Sequence, residues 1–115
     1  MEVPAEIQKM IGPKERIELF VNAEEYPQIT VETLAITSER LIIGRQNASE
    51  KMDFTMHSYP DISGVGLEKG FMRSIIRLRV KSKGELMDSI RLPPKVAEQA
   101  LEIIKGKVCG GPSRS

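Results

Sequence analysis

The sequence predicts a mainly β domain: seven antiparallel strands in a bent two-layer sandwich or barrel, capped by one C-terminal helix. Three observations predict it. Between Arg16 and Leu92, seven stretches alternate apolar and polar residues or concentrate β-branched ones, as a pleated sheet with a buried face requires. Short polar, proline- or glycine-containing connections join them, as in hairpins. After Pro93-Pro94 the apolar residues switch to steps of three and four, the stripe of a helix packed on one side. A half-buried sheet needs a cover, and a helix placed last can close one corner of two packed sheets.

Pro4 to Ile11 predicts a short helix with Ile7, Met10 and Ile11 on one side, stopped by Gly12-Pro13. In Arg16 to Asn22, Ile17, Leu19 and Val21 face one way, and Arg16, Glu18, Phe20 and Asn22 the other. Tyr26-Pro27 breaks the run. Ile29 to Thr37 is rich in β-branched residues, and Thr37-Ser38-Glu39-Arg40 is a tight connection, because Leu41-Ile42-Ile43 follows at once. Ile29–Thr37 and Arg40–Arg45 therefore read as a hairpin. Gln46 to Lys51 is a polar loop. Met52, Phe54 and Met56 then alternate with Asp53, Thr55 and His57. Pro60-Asp61 turns the chain, Ile62 to Leu67 is a short strand weakened by Gly64 and Gly66, and Glu68-Lys69-Gly70 turns it again.

Met72 to Lys81 is the clearest strand. Met72, Ile76, Leu78 and Val80 lie on one face; Arg73, Ile75, Arg77, Arg79 and Lys81 lie on the other. Ser82-Lys83-Gly84-Glu85 is a hairpin loop, and Leu86, Ile90 and Leu92 belong to the last strand. Proline is tolerated in a first helical turn because its missing donor would be unpaired there. Ala97, Ala100, Leu101, Ile104 and Val108 form the helical stripe, and Gly106 is expected to fray its end.

A chain of 115 residues is most simply one domain. The expected organisation is an N-terminal extension over 1–13, a domain over 14–108 and a flexible tail over 109–115. With no Trp and few other aromatics, the core must rest on Ile, Leu, Val and Met. Seventeen basic and sixteen acidic residues nearly cancel, so global charge argues for neither nucleic acid nor membrane. Cys109 is the only cysteine, which excludes an intramolecular disulfide and thiolate metal clusters. The acidic N-terminus is no signal peptide, and no run approaches the roughly 18 apolar residues of a spanning helix. The expectation is a soluble cytoplasmic protein.

Several of these stretches resemble a known family. Glu15-Arg16-Ile17, the run Leu34 to Ile43 with Thr37-Ser38-Glu39-Arg40 at its centre, and Tyr59-Pro60-Asp61-Ile62-Ser63-Gly64-Val65 followed by Glu68-Lys69-Gly70 resemble the bacterial and archaeal pleckstrin-homology-like domains, the YokE-like group in particular. The resemblance covers about residues 14 to 108 and departs from the commoner pattern at Pro60, which stiffens its turn. It implies a seven-stranded bent sandwich capped by the C-terminal helix, with no shared catalytic residues and no cofactor. Fold alone does not assign function.

The strongest local signal for binding is basic: Lys69 in a turn, then Arg73, Arg77, Arg79 and Lys81 on one strand face. Alternation sets such neighbours roughly 7 Å apart, a spacing that suits several phosphates or an acidic partner. The bland reading is a solvated outer face whose charges pair with adjoining strands, through Asp53 or Glu85. Ser63 to Gly70 has the glycines of a nucleotide loop, but a strand follows where a helix N-terminus is needed. His57 is the only histidine, too little for zinc, and its polar parity predicts exposure. Met52, Met56 and Met72 read as core filling, whereas Met87 and Ile75 fall on the outward parity and are expected to be exposed together. Cys109 reads as an incidental thiol, since a helix C-terminus disfavours a thiolate.

These readings favour a non-catalytic interaction module that binds protein partners through sheet edges and outer faces and self-associates. The alternative is peripheral binding to anionic lipid headgroups through Lys69, Arg73, Arg77, Arg79 and Lys81. A small enzyme ranks below both for want of a catalytic pattern. Nucleic acid ranks last, because no aromatic interleaves the basic strand.

Overall fold

A computed structural model of the chain describes residues 5–25, 30–46, 51–81 and 86–108. The order is α1 (Ala5–Met10), β1 (Ile17–Glu25), β2 (Thr30–Thr37), β3 (Arg40–Gln46), β4 (Met52–Ser58), a 3-10 turn (Tyr59–Asp61), β5 (Ile62–Glu68), β6 (Ser74–Val80), β7 (Leu86–Leu92) and α2 (Pro94–Val108). The strands form two antiparallel sheets, β1-β2-β3-β4 and β5-β6-β7. Seven strands and one closing helix stand as the sequence predicts. The expected break at Tyr26-Pro27, the Ser82–Glu85 loop, the tail and Cys109 lie outside the described residues.

The first sheet is apolar on both faces, and its cross-strand rows show why. One row runs Leu19–Ile36–Leu41–His57 and points inward. There Ile36 and Leu41 join Leu34, Ile43, Ile62, Ile76, Leu78, Ile90 and Leu92 in the core between the sheets. The next row, Phe20–Ala35–Ile42–Met56, points outward. Its first three members are buried with Ile7 in a second cluster under α1. That cover explains the unbroken run Leu41-Ile42-Ile43, since a strand buried on both faces loses its alternation.

The double cover buries Phe20, which shares its parity with Arg16, Glu18 and Asn22, and it corrects two expectations. His57 is 3% exposed, because Asp53, Thr55 and His57 share the inward parity and Met52, Phe54 and Met56 the outward one. Met56 is not core filling: it is 45% exposed, at the end of a row that a six-residue helix does not cover completely. Met72 is not core either. β6 begins at Ser74, which leaves Met72 in the preceding turn and largely exposed.

Helix α2 closes an open corner. It starts at Pro94, with the Ala97 amide donating to the Pro93 carbonyl at 2.8 Å. Ala97, Ala100 and Ile104 are fully buried in the inter-sheet core. Lys107 near its C-terminus reaches Glu18 of β1 at 2.9 Å; the helix packs chiefly against β5, and Glu98 lies 4.0 Å from Lys69. The helix runs through Gly106 to Val108.

Candidate functional site

The basic face expected from the sequence is only partly assembled. β6 buries alternate residues, so Ile75, Arg77 and Arg79 point outward. Lys81 follows the strand and is exposed; Lys69 and Arg73 sit in the β5–β6 turn rather than on the strand. Arg77 is held by Glu68, whose Oε1 lies 3.0 Å from its Nε and 2.5 Å from its terminal nitrogen. Of the two carboxylates expected to pair with this face, Asp53 lies opposite Arg45 in register, and Glu85 is outside the described residues. Met87 and Ile75 share the outward face but oppose Arg79 and Arg91. This sets them about 13 Å apart along the sheet, so they do not form the expected apolar pair.

β7 crosses the first sheet. Its Arg91 amide donates to Glu32 Oε1 of β2 at 2.9 Å, its Ser89 carbonyl accepts from Arg45 of β3, and its Asp88 carboxylate lies 2.9 Å from His57 Nε2 of β4. Arg45 also donates to Asp88 Oδ1 at 3.0 Å. Side chains of the first sheet thus occupy the Ser89 carbonyl and the Arg91 amide on the free edge of β7, where another strand would otherwise pair. Burial pushes the Asp88 carboxyl up, but the hydrogen bonds from His57, Arg45 and the Ser89 amide outweigh it and hold the carboxyl below its usual range. As a carboxylate, Asp88 can only accept, so His57 Nε2 is the donor in this contact; His57 Nδ1 is buried with no hydrogen-bond partner among the described residues. A cleft of about 250 Å³ opens beside this network, lined by Glu32, Arg45, Ile75, Arg77, Ser89 and Arg91. Its arginines Arg45 and Arg77 are already engaged by Asp88 and Glu68.

A second buried network explains the hairpin motif. Glu15 is 7% exposed, and its carboxylate takes two hydrogen bonds from Arg40, at 2.9 and 2.8 Å. It accepts a third from the Thr37 hydroxyl at 2.5 Å and a fourth from the Gly12 amide at 3.1 Å. The same threonine oxygen accepts from the Glu39 and Arg40 amides, closing the Ser38-Glu39 connection. Tyr59 Oη bridges the Thr37 and Arg40 carbonyls at 2.7 and 2.9 Å, and Arg40 donates to the Met10 carbonyl at the end of α1. The Arg40 hydrogen bonds outweigh burial, and with Thr37 and Gly12 they hold the Glu15 carboxyl at about 2. Burial pushes the Tyr59 hydroxyl well up. Thr37, Arg40 and Tyr59, conspicuous in the sequence as motif residues, form a clasp between hairpin, β1 and α1. Sequence reasoning missed Glu15 as its centre. The signal was a carboxylate just before the first strand with an arginine directly after the tight connection.

Two surface features remain. β5 pairs on one side only among the described residues, and Gly64 and Gly66 leave its surface open: a Cβ at Gly66 would meet nothing within 4 Å. The half-buried Val65, Leu67 and Val96 line the seam between β5 and α2. At the β5–β6 turn, Phe71 is 96% and Met72 74% exposed. The turn is specified by Gly70, where any Cβ would collide with the Arg73 carbonyl oxygen. No group of three or more His, Cys, Asp or Glu among the described residues is arranged to hold a metal ion. No helix among them is long and apolar enough to cross a membrane.

Comparison with known proteins agrees with this architecture. A family model described as "Bacterial PH domain" matches residues 11–106; the match does not reach down to the YokE-like group. Two solved structures share the fold at a TM-score of 0.62 each. One is a pleckstrin homology domain from Shewanella amazonensis SB2B, 20% identical, covering 90% of this chain and 93% of its own. The other is a DUF1696 family protein with a pleckstrin-homology domain from Shewanella loihica PV-4, 18% identical, covering 93% of this chain and 99% of its own. No curated protein matches.

Proposed function

The chain belongs to the bacterial PH domain family, and from that premise we propose that it is a non-catalytic cytoplasmic interaction module that docks a protein strand, its own copies included, along β5. The observation that carries this reading is the contrast between two edges of the second sheet. β7 has its outward carbonyl and amide occupied by Arg45 and Glu32. β5 has one pairing partner among the described residues, and at Gly66 a Cβ would meet open space. An unpaired edge offers main-chain hydrogen bonds to an added strand, and pockets beside it read alternate side chains. The Val65, Leu67 and Val96 seam supplies that apolar floor.

The test is hydrogen exchange on the protein alone over a concentration series, and on the complex captured from native lysate. Added protection should concentrate in Ile62–Glu68 and spare Leu86–Leu92. Protection confined to β7 would overturn the edge assignment, and a strictly monomeric light-scattering profile at high concentration would remove self-association.

A further inference from the structure

We propose that the β5–β6 turn is a membrane-docking tip, in which Phe71 and Met72 enter the interface of an anionic bilayer while Lys69 and Arg73 meet headgroup phosphates. The surface is distinct from the β5 edge, and its test is independent of that reading. It moves lipid contact from the strand face, where Glu68 holds Arg77, to the turn.

Three observations support it. Phe71 is the most exposed large apolar residue in the described structure, at 96%, and Met72 follows at 74%. Isolated exposed apolar side chains are ordinary, but an adjacent aromatic and thioether both projecting from one turn are not a solvated loop's usual composition. The turn conformation is built in rather than incidental, because Gly70 sits where only glycine fits against the Arg73 carbonyl. The chain places a cation on each side of the apolar pair, Lys69 before it and Arg73 after it. Long basic side chains lay their stems along apolar surface and keep the charge at headgroup level. A fluid interface accepts an exposed aromatic side chain without a preformed pocket, and phenylalanine is among the residues that interfacial anchors bury there.

The electrostatics are compatible. Lys69 is 75% exposed and only 4.0 Å from the exposed Glu98, a contact worth little in water, so it can turn toward a phosphate. Two apolar side chains and two cations give weak, reversible attachment, as for other peripheral anchors.

The chain contains no tryptophan, so Phe71→Trp places a single reporter at the tip. Its emission should shift to the blue with vesicles of phosphatidylcholine and phosphatidylglycerol, and much less with phosphatidylcholine alone. Phe71→Ser should lower sedimentation with the mixed vesicles about tenfold or more, the loss expected from one buried aromatic. Lys69→Glu should weaken binding chiefly at low salt. Arg79→Glu, on the strand face, should leave the tryptophan shift in place. Unchanged emission with vesicles, or equal sedimentation of Phe71→Ser and the parent chain, would overturn the proposal. A blue shift that grows with protein concentration in the absence of lipid would also overturn it, by assigning the tip to a second copy. Phe71 touches no core, so its variants retain the fold.

Discussion

Replacing Glu15 by Gln is the sharpest test of what locks the first sheet. The side chain is buried, and its carboxylate takes two bonds from Arg40, one from Thr37 and one from the Gly12 amide. The variant keeps the shape but turns an amide NH2 toward the guanidinium donors. The carboxyl is held at about 2, against an ordinary 4.5. At about 1.4 kcal/mol per tenfold, that difference corresponds to about 3 kcal/mol of folding free energy at neutral pH. Because the folded state lowers this pKa, the contribution is complete above about pH 4.5 and is lost as pH falls toward 2. Urea unfolding should therefore show Glu15→Gln about 3 kcal/mol less stable than the parent at neutral pH. The gap should close progressively in acid. A neutral-pH difference within about 0.5 kcal/mol, the range of an ordinary surface substitution, would refute the argument. So would a gap that stays constant down to pH 2.

Other substitutions probe the remaining contacts. Asp88→Asn weakens the bonds to His57 and Arg45 and should cost about 1–3 kcal/mol in denaturant unfolding at neutral pH. That difference too should shrink in acid, because the carboxyl is held below its ordinary range. Gly44→Ala sets a Cβ 2.7 Å from the Phe54 ring and should destabilise by about 1–3 kcal/mol through overpacking; an unchanged melting temperature would show that the ring moves aside freely. Ile104→Ala empties a fully buried site beneath α2 and should cost about 2–5 kcal/mol. A smaller loss by calorimetry would mean that the helix contributes little to the core.

Strand and helix positions were legible because they depend on local periodicity. The hairpin around Ser38-Glu39 is an example: Ile36 and Leu41 stand opposite each other, as a two-residue connection demands. Facing was less legible. In β4, Met52-Asp53-Phe54-Thr55-Met56-His57 alternates cleanly, yet the apolar set faces outward and His57 faces the core. Alternation separates two faces without naming the inner one, and here Ile7 of α1 makes the outer face apolar as well. The basic set Lys69, Arg73, Arg77, Arg79 and Lys81 was visible as a cluster, but the turn at Gly70 divided it and Glu68 neutralised its middle.

From residue order alone came the seven strands, the capping helix and the near-balance of charge, since each follows from steric preference and burial period within a few neighbouring residues. Folding in three dimensions decided which carboxylate meets which cation, as with Glu15 and Arg40, Asp88 and Arg45, and Glu68 and Arg77. It also decided which edge is blocked and which apolar pair is left in water. Those outcomes depend on distances between segments far apart along the chain, and such distances exist only once the two sheets have crossed.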